Sequence, residues 1–291
     1  MNTSADKAKN SATDNAAAEN PASQRSPQPT DTAAFFDLDK TIIARSSAYA
    51  FNKPLLERGI ISPTTMMQLA LSHALYMSQG HTADQMDSSR EQLSAIVRGH
   101  KAEEIQQVAK ESLHTNITPY IYAEALELIR EHHNKGHWVF IVSASARQLV
   151  EPIAEALGAD GVVATELEIR DGVFTGELEF FCRGENKATH VRRIAEEYGL
   201  DLDKCYAYSD SVTDEPMLNE VGHPRVVNPD RGLRKIAEEN EWPIRQFRNP
   251  VPLLRAPSKR DMAITAAAGA LALGVGAGWL ALRNNPKSKG D

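Results

Sequence analysis

Two aspartates separated by one residue follow a short apolar run near the beginning of the chain. The run AAFF spans residues 33–36, with Asp37 immediately after it and Asp39 two residues later. An apolar run of this length predicts a buried strand, which would leave both carboxylates at its carboxyl end. Carboxylates act as nucleophiles, as general acids or bases, and as ligands of hard cations. This pair is therefore the first candidate for a catalytic site.

Further polar residues follow later apolar runs. They stand at or just beyond the end of a predicted strand, or open the helix before one, and they are Ser143, Lys187, Ser209, Asp210 and Asp214. In open parallel sheets, ligands bind outside the carboxyl ends of the strands. We therefore expect these side chains to gather at one sheet edge, beside the two aspartates of the first run.

An alternative is open for the single residues, because Asp and Ser are also favoured as helix N-caps. Capping explains Ser143 or Ser209 alone but not the whole set, since acids that gather at one edge repel each other unless a cation lies among them. Oxygen ligands of this kind favour Mg²⁺. An Mg²⁺ ion, a lysine and the N–H groups of helix starts would together suit a phosphate group.

The elements that would position these residues alternate between strands and helices from Ala33 onward. Residues 120–133 carry apolar side chains at helical spacing, and residues 137–145 predict the next buried strand. Continued alternation predicts an α/β fold, a Rossmann-like, doubly wound parallel sheet with helices on both faces. Asp171 and Gly172 lie between β-prone residues and predict a hairpin.

One block interrupts this alternation. Residues 46–117 contain no convincing strand and show the spacing of amphipathic helices. We expect them to form an all-helical cap inserted over the carboxyl edge of the sheet. The catalytic core would then comprise residues 32–45 and 118–250. Residues 1–31 are poor in large apolar side chains and predict a disordered N-terminal tail.

The overall composition limits the class of protein. The net charge of −7 argues against a nucleic-acid-binding protein, which would carry a basic surface. The chain has two cysteines, Cys182 and Cys205, and no apolar stretch near its N-terminus. These features predict a reduced protein that faces the cytoplasm.

The C-terminal part has a different composition. Residues 262–282 carry no charge over 21 positions, which as a helix would span about 30 Å, the thickness of the bilayer hydrocarbon. With a basic linker at residues 251–261 and a basic tail at 283–291, this pattern predicts a transmembrane helix that anchors a cytoplasmic catalytic domain to the cell membrane. A buried Ala-rich helix or a flexible tail is the alternative. Gly274 and Gly278 form a weak GxxxG signal for a homodimer.

The polar residues also match a known set of motifs. DLDKT at residues 37–41, Ser143 after VFIV, Lys187, and SDSVTD at residues 209–214 resemble the four ordered motifs of the haloacid dehalogenase superfamily of phosphohydrolases. The resemblance covers about residues 33–250. The helical insertion after the first motif resembles the cap of the phosphoserine phosphatase-like branch.

The resemblance implies a role for each matching residue. Asp37 would be the nucleophile that forms an aspartyl-phosphate. Asp39 would be the general acid for the leaving oxygen and then the base that activates water. Ser143 would donate a hydrogen bond to a phosphoryl oxygen, and Lys187 would neutralise the transferred group.

The resemblance also implies a metal site and a substrate site. Mg²⁺ would be held by Asp37, Asp39, Asp210 and Asp214, with Asp39 contributing its main-chain carbonyl. The residues expected to bind substrate, or to orient the loop that does, are Thr41, Ser46, Arg90, Ser143, Lys187 and Thr213.

Two of these positions depart from the phosphoserine phosphatase pattern. Ser46 stands where an acidic residue reads the amino group of the substrate, and Thr213 stands where an Asn precedes the last acid. A cap arginine reads the substrate carboxylate in that branch, and Arg90 and Arg98 are the candidates here. The departures leave the phosphatase chemistry intact and leave the specificity for serine open.

The leading hypothesis is a Mg²⁺-dependent phosphomonoester hydrolase with phosphoserine as its small-molecule substrate. A lysophospholipid phosphate or another membrane-associated ester is an alternative, because the predicted anchor would bring the site near lipid headgroups. A non-catalytic binding module that keeps the fold is the alternative from another class. The retained Asp37, Asp39, Lys187 and Asp210 argue against that module, since a binding protein does not need both carboxylates of the first motif.

Overall fold

The structure is a computed structural model, and it describes residues 30–65 and 96–250 together with Met67 and Ser94. The strands are β1 (Ala33–Phe36), β2 (Trp138–Ala146), β3 (Gly161–Arg170), β4 (Val173–Phe180), β5 (Tyr206–Ser209), β6 (His223–Val227) and β7 (Ile244–Arg245). The α-helices whose two ends lie in the described residues are α1 (Ser47–Glu57), α2 (Ala102–Ser112), α3 (Ala123–Asn134), α4 (Arg147–Leu157), α5 (Glu185–Tyr198), α6 (Glu215–Asn219) and α7 (Arg231–Glu239).

The strands form one sheet in the order β4-β3-β2-β1-β5-β6-β7. All neighbours are parallel except β3 and β4, which pair antiparallel. The chain winds outward from β1 in both directions, so the strand order reverses between β1 and β5. The predicted doubly wound parallel sheet is confirmed, and this reversal is where such sheets bind ligands. The short edge strand β7 was not predicted.

The first strand is buried on both faces. Ala34 and Phe36 belong to one hydrophobic cluster, and Ala33 and Phe35 belong to the cluster on the other side of the sheet. Phe36 stacks on Tyr208 of β5 with ring centroids 4.3 Å apart. Burying each such aromatic ring contributes about 2–3 kcal/mol. This two-sided burial explains why the strand is a continuous apolar run and not an alternating one.

The predicted hairpin is confirmed. Asp171 and Gly172 join β3 to β4 with φ values of 52° and 79°, as a two-residue turn with both central residues left-handed requires. The hairpin extends beyond the sheet and contacts the helical segment. Gly99 N donates to Phe174 O at 2.9 Å, and Ala102 N donates to Gly172 O at 3.0 Å.

Two segments connect the core to the cap, and main-chain hydrogen bonds join these two segments to each other. Ala44 N donates to Tyr120 O at 2.7 Å, and Tyr122 N donates to Ile42 O at 2.9 Å. Helices α1 and α2 contact each other above this junction. They confirm helices at both ends of the predicted cap, whose middle lies largely outside the described residues. The core resumes at the 3₁₀ turn Thr118–Tyr120.

Two sequence predictions about the ends of the chain meet different outcomes. Of the predicted N-terminal tail, residues 1–31, the structure describes the last two, and both contact the core: Thr30 N donates to Gly136 O and the Asp31 carboxylate pairs with Lys204. The predicted membrane segment 262–282, with Gly274 and Gly278, lies outside the described residues. Within the part of the chain that the structure describes, no helix combines the length and apolar character needed to cross a bilayer.

Candidate active site

A buried lysine joins two aspartates at the reversal of the strand order. Lys187 Nζ lies 2.7 Å from Asp37 Oδ1 and 2.8 Å from Asp214 Oδ2, and its side chain is 2% exposed. Asp37 follows β1, Lys187 lies in the first turn of α5, and Asp214 ends the 3₁₀ turn Val212–Asp214 after β5. Ser209 Oγ donates to Asp214 Oδ2 at 2.7 Å. The sheet thus brings three of the four sequence motifs into contact.

The turn before α5 determines where this lysine starts. Gly184 has φ 56° and ψ −130°, a conformation that residues with a side chain rarely adopt. It directs the chain from β4 into α5, so that Lys187 N can donate to Gly184 O at 3.0 Å. The local sequence CRGENK therefore sets the lysine in the first helical turn, at the sheet edge.

Burial and mutual repulsion dominate the electrostatics of the site. Burial raises the pKa of Asp37 to about 7, with Lys187 opposing the rise and Asp214 and Asp39 adding to it. Burial and the charge of Asp37 raise the pKa of Asp210 to about 8. Burial also disfavours the Lys187 ammonium, but Asp214 and Asp37 overcome this, so the pKa of the lysine is raised and it stays charged.

The donor set fits a hard divalent cation. Within the described residues, the Asp210 carboxylate has no hydrogen bond or ion pair although this residue is only 7% exposed. A buried carboxylate without compensation is unfavourable, and a cation would offset it. Among residues 30–65 and 96–250, no group of three or more His, Cys, Asp or Glu side chains is arranged to hold a metal by itself. Mg²⁺ commonly uses one or two protein carboxylates and completes its shell with water and phosphate. Asp37 and Asp210 supply two such carboxylates.

Asp39 has different surroundings from Asp37. Its Oδ1 accepts a hydrogen bond from Ser47 N at 2.6 Å, and its Oδ2 accepts one from Ser145 Oγ at 3.2 Å. Burial raises the pKa of Asp39, and the hydrogen bonds from Ser47 and Ser145 oppose that rise. The lysine therefore binds the first aspartate, while two serines bind the second.

Sequence reasoning missed both serines. Ser145 belongs to the same SAS segment as Ser143, and Ser47 follows the residue that caps α1. The spacing of Ser143 and Ser145 on one strand was the available signal, since residues two apart on a strand share a face. Nothing in the sequence pairs Ser47 with either.

Asp230 was also missed, and it secures the loop of the fourth motif. Its N–H donates to the main-chain oxygen of Asp210 at 2.8 Å, and its Oδ2 accepts from Val212 N at 2.9 Å. Its Oδ1 accepts from Leu233 N at 2.8 Å, which caps α7. One side chain therefore ties α7 to the loop that carries the acids. An Asp before a predicted helix was the signal that could have found it.

The other residues expected at the site have identifiable positions. Ser143 is 1% exposed and accepts from Ser145 N at 3.2 Å. The strand predicted at residues 137–145 is observed as β2, Trp138–Ala146, and its pairing with β3 becomes irregular directly after Ser143. The Thr41 hydroxyl is buried without a hydrogen-bond partner among the described residues. Thr213 Oγ1 lies 3.1 Å from Ser211 Oγ.

The residues expected to select the substrate have other contacts. Ser46 is the N-cap of α1, and its Oγ accepts from Tyr49 N at 3.5 Å. Arg98, whose side chain is 60% exposed, pairs with Glu177 of β4 at 3.6 Å. Arg90 lies outside the described residues. Among the described residues, no hydrogen bond or ion pair joins Ser46 or Arg98 to Asp37.

The chain is similar to known hydrolases in sequence and to a solved structure in fold. The family model for haloacid dehalogenase-like hydrolases matches residues 34–219. A probable phosphatase of Mycobacterium tuberculosis is 46% identical over 254 residues, which are 86% of this chain and 88% of that protein. The phosphoserine phosphatase SerB1 of the same organism is 34% identical over 242 residues, covering 82% of this chain and 79% of its own. A crystal structure of a Bordetella pertussis protein of unknown function superposes with a TM-score of 0.65 at 29% identity, covering 77% and 99% of the two chains.

Proposed function

Because this chain belongs to the haloacid dehalogenase-like hydrolases and is a phosphatase of that family, we propose that it cleaves phosphoserine through an aspartyl-phosphate on Asp37. The observation that carries the proposal is the bridge from Lys187 to Asp37 and Asp214 at the reversal of the strand order. An ammonium bound to the nucleophile neutralises the phosphate that approaches it. A binding module would not need such a group beside a reactive carboxylate.

The roles of the side chains follow from their surroundings. Asp37 attacks phosphorus, and the bond from phosphorus to the ester oxygen breaks. Asp39, held apart by Ser47 and Ser145, gives a proton to the departing oxygen and later takes one from the attacking water. Lys187 and the Ser143 hydroxyl interact with the phosphoryl oxygens.

The proposal includes Mg²⁺ as the cofactor. Asp37 and Asp210 would hold the ion, with Asp214 and the main-chain carbonyl of Asp39 completing the protein ligands. When bound, it would neutralise the developing charge on the phosphoryl group. The buried carboxylate of Asp210, whose pKa is raised to about 8 by burial and by the charge of Asp37, supports this assignment.

Phosphoserine is the leading substrate because a relative that shares most of the chain carries that activity in its name. Ser46 weakens the choice, since its hydroxyl caps α1 and provides no carboxylate for an amino group. The substrate therefore has to be measured over a panel. A lipid-linked phosphate ester and a non-catalytic role are the competing outcomes.

The experiment measures phosphate release by the full chain with Mg²⁺ from phosphoserine, glycerol phosphate, lysophosphatidate and 4-nitrophenyl phosphate. Asp37→Asn should abolish release from every ester. Asp203→Asn removes an exposed aspartate of the same charge and should retain full activity. Preference for phosphoserine supports the whole proposal, and preference for lysophosphatidate keeps the chemistry while replacing the substrate. Equal release by the wild type and Asp37→Asn, or no release at all, contradicts the catalytic assignment.

A further inference from the structure

We infer that Ser145 and the main-chain N–H of Ser47 position Asp39 for proton transfer, so that the first helix of the cap helps to orient the general acid of the core. The inference rests on the proposed function, because it assigns a purpose to the orientation of Asp39. It concerns two residues that act through another side chain, and we therefore regard them as positioning residues.

Three separate segments meet in this cluster. Asp39 lies in the loop after β1, Ser145 lies near the end of β2, and Ser47 is the first residue of α1. Ser47 N lies 2.6 Å from Asp39 Oδ1, and Ser145 Oγ lies 3.2 Å from Asp39 Oδ2. The hydroxyls of Ser47 and Ser145 are 2.8 Å apart. Every link in the cluster therefore joins two different segments of the chain.

The direction of the hydroxyl hydrogen bonds follows from the number of protons. A serine hydroxyl has one hydrogen and two lone pairs. Ser145 Oγ uses its hydrogen on the Asp39 carboxylate, so in the bond between the two serines it accepts, and the hydroxyl of Ser47 donates. Both serines are buried, with Ser47 at 0% and Ser145 at 9% exposure, and water is a weak competitor there.

This arrangement orients the carboxylate without blocking it. Each oxygen of Asp39 accepts one of these hydrogen bonds and keeps a lone pair for the proton that is transferred. A general acid must stand within hydrogen-bond reach of the leaving oxygen. Two donors on opposite oxygens fix the plane of the carboxyl group, which a single donor would leave free to rotate.

These hydrogen bonds also make the orientation of the Asp39 carboxyl group depend on the cap. The shortest of them comes from the first N–H of α1, which α1 itself does not use because the first N–H groups of a helix have no partner inside it. The helix start thus supplies a donor to an aspartate of the core. Loss of this donor should impair proton transfer and leave Asp37 and Lys187 in place.

A matched pair of variants separates the N–H from the hydroxyl. Ser47→Ala removes the hydroxyl and keeps the N–H, whereas Ser47→Pro removes both. Proline is tolerated at the first position of a helix, and Ser46 already has φ −73° and ψ 129°, the conformation preferred before proline. The difference between these two variants therefore isolates the N–H donor.

The readout is the dependence of kcat/KM on the leaving group. Loss of acid catalysis should slow an alkyl phosphate strongly, because its alkoxide is a poor leaving group, and should slow 4-nitrophenyl phosphate much less. We expect Ser47→Pro to lower kcat/KM for the alkyl ester by about tenfold or more relative to Ser47→Ala, with a change of about threefold or less for the nitrophenyl ester. Ser145→Ala should show the same selective loss, and Ser145→Thr, which keeps a hydroxyl, should restore it.

The outcomes are distinct. An equal loss of kcat/KM on both esters would overturn the inference, because a merely structural defect does not depend on the leaving group. Unchanged kcat/KM in both the Ser47 and the Ser145 variants would overturn it as well. If Ser47→Pro does not fold, the comparison of Ser145→Ala with Ser145→Thr decides alone. Inactivity of the wild type on both esters, or activity of Asp37→Asn, would instead count against the proposed function.

Discussion

Lys187 Nζ lies 2.7 Å from Asp37 Oδ1, although 150 residues separate them along the chain. The contact forms because β1 is the centre from which the sheet winds in both directions, and α5 begins at the same sheet edge. With Asp214 it creates a buried group of one lysine and two aspartates. Such groups contribute little net stability when complete, but they become unfavourable when one member is removed.

The first prediction concerns this group. Lys187→Met should abolish phosphate release and lower the free energy of unfolding by about 3–5 kcal/mol, because Asp37 and Asp214 would remain buried without a counter-charge. Chemical denaturation and the phosphate assay measure the two effects. Lys235→Met, which removes an exposed lysine, is the control for both. Adding Asp214→Asn to Lys187→Met should recover part of the stability and none of the activity; recovery of activity would contradict the role of the lysine.

The second prediction concerns the metal. Mg²⁺ should raise the melting temperature of the wild type by several degrees, because binding to the folded state alone stabilises it by about 2.7 kcal/mol at a hundredfold excess over Kd. Asp210→Asn should abolish the shift and, without Mg²⁺, should be at least as stable as the wild type, since it removes a buried carboxylate that lies near the charge of Asp37. Differential scanning fluorimetry tests this, with Asp203→Asn as control. A full shift in Asp210→Asn would exclude this residue as a ligand.

The third prediction concerns pH. His132 is 3% exposed, lies 2.9 Å from the Tyr208 hydroxyl and from His137, and burial followed by the charge of His137 lowers its pKa to about 3. The folded state keeps the ring neutral, while the unfolded chain takes up a proton below about pH 6.5. Stability should therefore be complete above that pH and should fall as the pH decreases, by about 2 kcal/mol between pH 6.5 and 4.5.

The variant His132→Gln should show a flatter dependence of unfolding free energy on pH over this range. His114→Gln removes an exposed histidine and should follow the wild-type curve. Urea denaturation at a series of pH values provides the comparison. Parallel curves for His132→Gln and the wild type would show that this ring does not carry the acid sensitivity.

The fourth prediction separates two roles of Ser46. If its hydroxyl serves as the N-cap of α1, Ser46→Ala should lower the unfolding free energy by about 0.5–1 kcal/mol and leave KM for phosphoserine unchanged. Ser46→Asp, which keeps a capping oxygen, should restore the stability. Thermal unfolding and steady-state kinetics measure the two properties. A rise in KM in Ser46→Ala without a loss of stability would assign the hydroxyl to the substrate.

The sequence alone determined the architecture and which strand ends carry candidate catalytic residues. The AAFF run, the periodic helices and the Asp171-Gly172 turn are local signals, because burial of a strand, the face of a helix and the φ values of a turn each depend on a few neighbouring residues. The rule that ligands bind at the carboxyl ends of parallel strands then predicted that Asp37 and Asp210 would share one edge. Local signals are weakest at boundaries, and the strand predicted at residues 137–145 is observed one residue further along, as Trp138–Ala146.

Only the tertiary structure decided which partners these residues have. Ser145 reaches Asp39 across 106 residues and Ser47 across 98, so the contacts depend on how α1 approaches the sheet and not on any nearby pattern. The same holds for Arg98, the candidate for reading the substrate carboxylate, which pairs with Glu177 of β4. A side chain's type limits the chemistry it can perform, whereas its neighbours in space determine whether it acts as a nucleophile, an acid or a helix cap.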